Sequence, residues 1–139
     1  MNNADRLERL NEILDELSEM CEERVLIIEG PKDRMAMSLL GVNADMINVQ
    51  SEGGPLKAAE KIYGEGRSAV IMTDWDKKGD EIANDLERSL SSLCVKYDTS
   101  LRSRLRRICG NEIYDVESLP SFYCRLVTES VRRKEGKNN

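Results

Sequence analysis

A chain of 139 residues with 40% hydrophobic residues has the size of one domain and enough apolar material for a core. It has no histidine, which excludes Ser-His-Asp and Cys-His catalysis, imidazole proton shuttles and histidine-ligated metals. Its net charge of −5 excludes a protein that coats nucleic acid by bulk positive charge. With aromatics at 4%, Leu, Ile, Val, Ala and Met must build the core. No apolar run reaches the roughly 20 residues of a bilayer span, and the polar start Met1-Asn2-Asn3-Ala4-Asp5 has no signal-peptide core, so a soluble cytoplasmic protein is expected. Cys21, Cys94, Cys109 and Cys124 form no C-x-x-C pair and read as reduced thiols.

Leu7, Leu10, Ile13, Leu14 and Leu17 recur at spacings of three and four, which predicts an amphipathic helix over Arg6 to Cys21, packed on the domain or on a partner. Val25-Leu26-Ile27-Ile28 is apolar without alternation, as in a strand buried on both faces, and it stops at Glu29-Gly30-Pro31. Pro31 suits the first turn of a helix that continues through Met35, Ala36, Leu39 and Leu40 to a stop at Gly41. Met46 to Val49 reads as a second strand, Ser51 to Pro55 as a turn, and Leu56 to Tyr63 as a helix broken by Gly64-Glu65-Gly66. Ala69 to Thr73 is the third strand, ending at Asp74. Ile82, Leu86, Leu90 and Leu93 mark a long helix from about Lys78. Val95 to Tyr97 reads as a strand, Leu101 to Cys109 as a short basic helix, Glu112 to Tyr114 as another strand, and Leu119 to Arg133 as the closing helix before a frayed tail. The expected organisation is an N-terminal helix over 1–22, an α/β domain over 23–134 and a flexible tail over 135–139. Its sheet is parallel, of about four strands, with helices on both faces.

Ligands of open parallel sheets bind beyond the carboxyl ends of the strands, where strand order reverses. If the first and third strands are neighbours and the second lies outside the first, that crevice falls between Glu29 and Asp74. Asp74 and Asp76 are two residues apart, so on an extended chain they point the same way, while Trp75 faces elsewhere. Three converging carboxylates repel one another and invite a hard divalent cation. With oxygen ligands alone, Mg²⁺ or Mn²⁺ is the expectation. Gly79 allows close backbone approach at the start of the next helix, whose N-terminus favours an anion.

Glu29-Gly30-Pro31-Lys32-Asp33 after one apolar strand, and Thr73-Asp74-Trp75-Asp76-Lys77-Lys78-Gly79-Asp80 after another, resemble the E-G and D-x-D-x-x-G motifs of the Toprim family. That family includes topoisomerases, bacterial primases, nucleases, recombination mediators and ribosomal-RNA maturases. The resemblance covers roughly Val25 to Leu119 and is nearest to small stand-alone Toprim proteins related to the maturases. It implies a Toprim-like (Rossmann-like) fold and Mg²⁺-dependent phosphodiester chemistry on RNA or DNA. Glu29 would act as general acid or base and as part of the metal site, with Asp74 and Asp76 as the metal-coordinating pair. Many relatives carry Glu where this chain has Asp80, which puts a second metal contact in doubt.

Gly30, Lys32, Asp33, Lys77, Lys78, Gly79 and Asp80 complete the candidate site. The lysines can hold phosphates beside the metal or be ordinary solvated charge. Arg102, Arg104, Arg106 and Arg107 form a denser run that can bind nucleic acid or pair with surface acids. Trp75 can stack on a base, although packing on a neighbouring helix is the plainer expectation. The competing function is a non-catalytic metal-binding module for nucleic acid or for a protein partner, with an oligomer also open. A phospho-receiver wants a pair of acids after its first strand, and Glu29-Gly30 offers one.

Overall fold

The apolar runs become the strands of one parallel sheet. In the computed structural model, which describes residues 1–137, β1 (Arg24–Ile28), β2 (Met46–Asn48), β3 (Ser68–Ile71) and β4 (Tyr97–Asp98) are ordered β2-β1-β3-β4. Every pairing is parallel, with Ile27 level with Ile71 and Ile28 level with Asn48. The helices are α1 (Asn3–Met20), α2 (Pro31–Leu39), α3 (Val49–Glu52), α4 (Pro55–Gly64), α5 (Lys77–Ser92), α6 (Ser100–Cys109) and α7 (Leu119–Lys137).

Successive strand residues point to opposite faces, and here each face has its own helical cover. Leu26, Ile28, Val70 and Met72 pack with α1, α2, α6 and α7. Val25, Ile27, Ala69 and Ile71 pack with α4 and α5. Double cover explains why β1 and β3 read as unbroken apolar runs rather than alternating ones. The N-terminal helix packs on the domain: Leu10, Ile13, Leu14 and Leu17 are buried in the same cluster as Leu26 and Val70. It starts earlier than its leucines indicate because the Asn2 side chain caps it, accepting from the Asp5 N–H. Gly41 follows the end of α2 at φ +83°, the left-handed turn that its position demanded. Among the described residues no helix is long and apolar enough to cross a membrane.

Several local expectations need correction. Glu112 to Tyr114 is irregular rather than a strand, because its carbonyls serve Trp75 instead of a ladder. The Ser51 to Pro55 turn shrinks to Gly53-Gly54, since Asn48 caps a short helix that takes up Val49 to Glu52. The third strand ends at Ile71, two residues early, and the strand expected at Val95 to Tyr97 shifts to Tyr97-Asp98. The closing helix runs on to Lys137, past Arg133, and the rest of the expected tail lies outside the described residues.

Candidate metal centre

The order β2-β1-β3-β4 places the switch point between β1 and β3, and the candidate acids stand on its rim. Glu29 follows the last residue of β1 and is only 7% exposed. Its main chain is held in place, because its carbonyl accepts from the Gln50 N–H at 3.1 Å and Pro31 starts α2 two residues later. Asp74 lies three residues beyond β3, and its N–H donates to Glu29 Oε1 at 2.9 Å, tying the two strand ends together. Asp76 caps α5, with Oδ1 accepting from the Gly79 N–H at 2.7 Å. Asp74 Oδ1 accepts from the Val116 N–H at 2.9 Å.

Each of the three carboxylates is thus fixed by one oxygen on one backbone N–H. The second oxygen of each receives no hydrogen bond from the described residues and is open to another ligand. Glu29, Asp74 and Asp76 can each offer an oxygen such that all three oxygens lie within 4.8 Å of one another. It is the one grouping of three or more potential ligands found among the described residues.

This crowding is reflected in the proton affinities. Burial pushes the Asp74 carboxyl up to about 7, against the Val116 N–H, and the charges of Glu29, Asp33 and Asp76 add to the rise. Burial likewise raises Glu29 above the usual carboxylate range; the Asp74 N–H and Lys78 oppose this, while Asp76 and Asp33 reinforce it. An all-oxygen set of mutually repelling acids fits a hard divalent cation, which would remove the repulsion.

The remaining candidate residues divide sharply. Asp33 is buried behind the site and is no part of the triad; its Oδ2 accepts from the Gly30 N–H at 3.3 Å, so it caps α2. Gly30 lies against the Gln50 side chain, where a Cβ would meet Oε1 at 3.2 Å. Lys32, Lys77 and Lys78 are exposed around the rim, with Lys32 at 3.9 Å from Glu117. Gly79 is indispensable to the loop: a Cβ there would sit 1.9 Å from the Asp74 carbonyl oxygen. Asp80, doubted as a second metal contact, lies outside the triad and is instead paired with Arg102 and Arg106.

Two contributors escaped the sequence reading. Val116 acts only through its N–H, which no side-chain pattern advertises. Arg102 looked like one of four similar arginines, yet it is 9% exposed and its guanidinium reaches Thr73 O and Asp74 O. The basic run is largely neutralised: Arg104 pairs with Glu16, and Arg106 with Asp80. Trp75 is unavailable for base stacking, being 1% exposed, with its N–H and Nε1 donating to Tyr114 O and Ile113 O.

No family model matches the chain. It is 35% identical over 122 residues to a UPF0292 protein of Methanosarcina acetivorans, covering 87% of this chain and 84% of that one. The chain belongs to the UPF0292 family. A UPF0292 protein of Thermococcus onnurineus aligns over 133 residues at 33% identity, covering 96% of this chain and 97% of its own length. A solved structure of a protein from Aquifex aeolicus superposes with a TM-score of 0.68 at 24% identity, over 78% of this chain and 96% of that one, which establishes the shared fold.

Proposed function

We propose that this UPF0292 protein is a Toprim-type, Mg²⁺- or Mn²⁺-dependent protein that processes phosphodiester bonds in RNA or DNA. The observation that carries the reading is the convergence of Glu29, Asp74 and Asp76 within 4.8 Å at the switch point of the sheet. Asp74 and Asp76 are the residues that would hold the cation, with Glu29 beside them. A bound divalent ion supplies positive charge against the phosphoryl oxygens and a template for the scissile group.

The chain's own residues supply the rest. Burial and the neighbouring acids Asp76 and Asp33 raise the proton affinity of Glu29, the direction that favours a group which takes up and releases a proton. The Asp74 N–H fixes Glu29 Oε1, so the proton would be exchanged at Oε2. Lys32, Lys77 and Lys78 are exposed on the elements that begin at the site and would attract the phosphate backbone without reading sequence. The proposed setting is the cytoplasm, where Cys21, Cys94, Cys109 and Cys124 stay unpaired, as they are here.

The test is cleavage of end-labelled structured RNA and nicked duplex DNA, with and without Mg²⁺, by the wild-type chain and Glu29→Gln. Loss of a proton-transfer group is expected to reduce turnover by about 10²–10⁴-fold while the variant still binds nucleic acid. Binding of Mn²⁺ and nucleic acid with no cleavage of either substrate would instead favour a non-catalytic module.

A further inference from the structure

We propose that Arg102, with Asp80 as its partner, is a positioning residue that sets the geometry of the Asp74 and Asp76 half of the centre. The inference rests on reading Glu29, Asp74 and Asp76 as a cation site, and it assigns a role to the one arginine of the basic run that faces inward. Arg102 projects from α6, which follows the sheet's last strand, so it joins the site across 28 residues of chain. Its Nε donates to Thr73 O at 2.9 Å, and its Nη2 donates to both Asp74 O at 2.5 Å and Asp80 Oδ1 at 2.6 Å. Thr73 and Asp74 lie just past the exit of β3, and Asp80 lies in the first turn of α5. One planar guanidinium therefore clamps both ends of the loop that carries Asp74 and Asp76.

The fork geometry is what makes arginine suited to this. Three acceptors at different positions are met by donors whose mutual angles are fixed, which a lysine ammonium on a flexible stem cannot reproduce. The rest of the loop is built to the same dimension. Thr73 Oγ1 donates to Gly79 O at 2.9 Å, and a Cβ on Gly79 would overlap the Asp74 carbonyl. The Asp74 carbonyl is thus pressed against α5 on one side and held by Arg102 on the other. Asp80 is occupied twice, since Arg106 Nη1 also reaches its Oδ1 at 2.8 Å. In this arrangement the acid after the loop glycine is an anchor for Arg102 rather than a ligand, and its short side chain matches a partner that lies to the side of the triad.

The test uses the full chain, Mn²⁺ titration by calorimetry, and hydrogen exchange of the Gly79 and Val116 amides, which donate to Asp76 and Asp74. Arg102→Lys is expected to weaken Mn²⁺ binding by about 10–100-fold, as loss of a ligand-orienting partner does, and to speed exchange of both amides. Asp80→Asn, at a half-exposed site that should tolerate it, is expected to do the same more weakly. Arg106→Ala leaves Arg102 in place and should stay within about twofold of wild type. Wild-type Mn²⁺ affinity in both Arg102→Lys and Asp80→Asn overturns the proposal and leaves the cation site standing. Weaker Mn²⁺ binding in Asp80→Asn with unchanged amide exchange makes Asp80 a ligand and also overturns it. Failure of the wild-type chain to bind Mn²⁺ overturns both readings.

Discussion

Gly79→Ala is expected to push the first turn of α5 away from the end of β3 and to abolish cation binding. The added Cβ would lie 1.9 Å from the Asp74 carbonyl oxygen, 2.4 Å from its carbon and 2.9 Å from its Cα. All three are backbone atoms of a residue whose N–H is bonded to Glu29 and whose carbonyl is held by Arg102, so no side-chain rotation relieves the overlap. Either Asp74 or the helix start must move. Movement of the helix breaks the bond from Thr73 Oγ1 to Gly79 O and pulls Asp80 from the Arg102 that also holds the Asp74 carbonyl, carrying Asp76 away from Asp74. Overpacking of this kind costs about 1–3 kcal/mol or more, and urea unfolding of the two proteins measures it. The loss of Mn²⁺ affinity should exceed what the stability change alone would cause, because the ligands separate even in molecules that stay folded.

Gly64→Ala provides the contrast. Gly64 closes α4 without a left-handed φ, and a Cβ there meets nothing within 4 Å. Alanine at that position should leave stability unchanged or raise it by up to about 1 kcal/mol. Equal destabilisation by the two substitutions would show that the close approach of Gly79 to Asp74 is not what fixes the loop.

How much of this was legible in the sequence depended on what kind of group did the work. The unbroken apolar runs at Val25–Ile28 and Ala69–Met72 identified buried parallel strands, because double helical cover leaves no face for polar residues. Glu29 and Asp74 stood out for the same reason, as the first acids after those runs. Side-chain identity is silent about backbone donors, so the Val116 N–H beneath Asp74 was invisible. Composition also misled at Arg102: four arginines within six residues look alike, and only tertiary packing turns one of them inward to the Thr73 and Asp74 carbonyls. At Glu112 to Tyr114, the residue types suited a strand, but the hydrogen bonds of Trp75 claimed the carbonyls first.

The second large effect concerns Asp74, whose charge the fold tolerates poorly without a cation. Burial is the main force pushing its carboxyl up to about 7 in the folded chain, against 3.8 for an unperturbed aspartate. Between about pH 4 and pH 7 the folded protein therefore holds a proton that the unfolded chain has already released. Stability of the cation-free protein falls as pH rises through that window and levels off above it. Glu29, also raised, contributes in the same direction. For Asp80, burial is outweighed by Arg102 and Arg106 and the shift is downward, so its contribution is lost only as pH falls through its depressed value, below the window. Divalent binding must displace the Asp74 proton, so affinity should rise by about tenfold per pH unit up to about pH 7, with release of up to one proton per ion. Calorimetry at pH 6 in two buffers of different ionisation enthalpy measures that proton. Asp74→Asn keeps an oxygen for the Val116 N–H and removes one of three crowded charges. It is expected to stabilise the cation-free protein at pH 8 by about 1–2 kcal/mol, to flatten the slope between pH 4 and pH 7, and to eliminate Mn²⁺ binding. A variant equally destabilised at pH 5 and pH 8 would mean that the Asp74 charge is a structural support rather than a strain relieved by a cation.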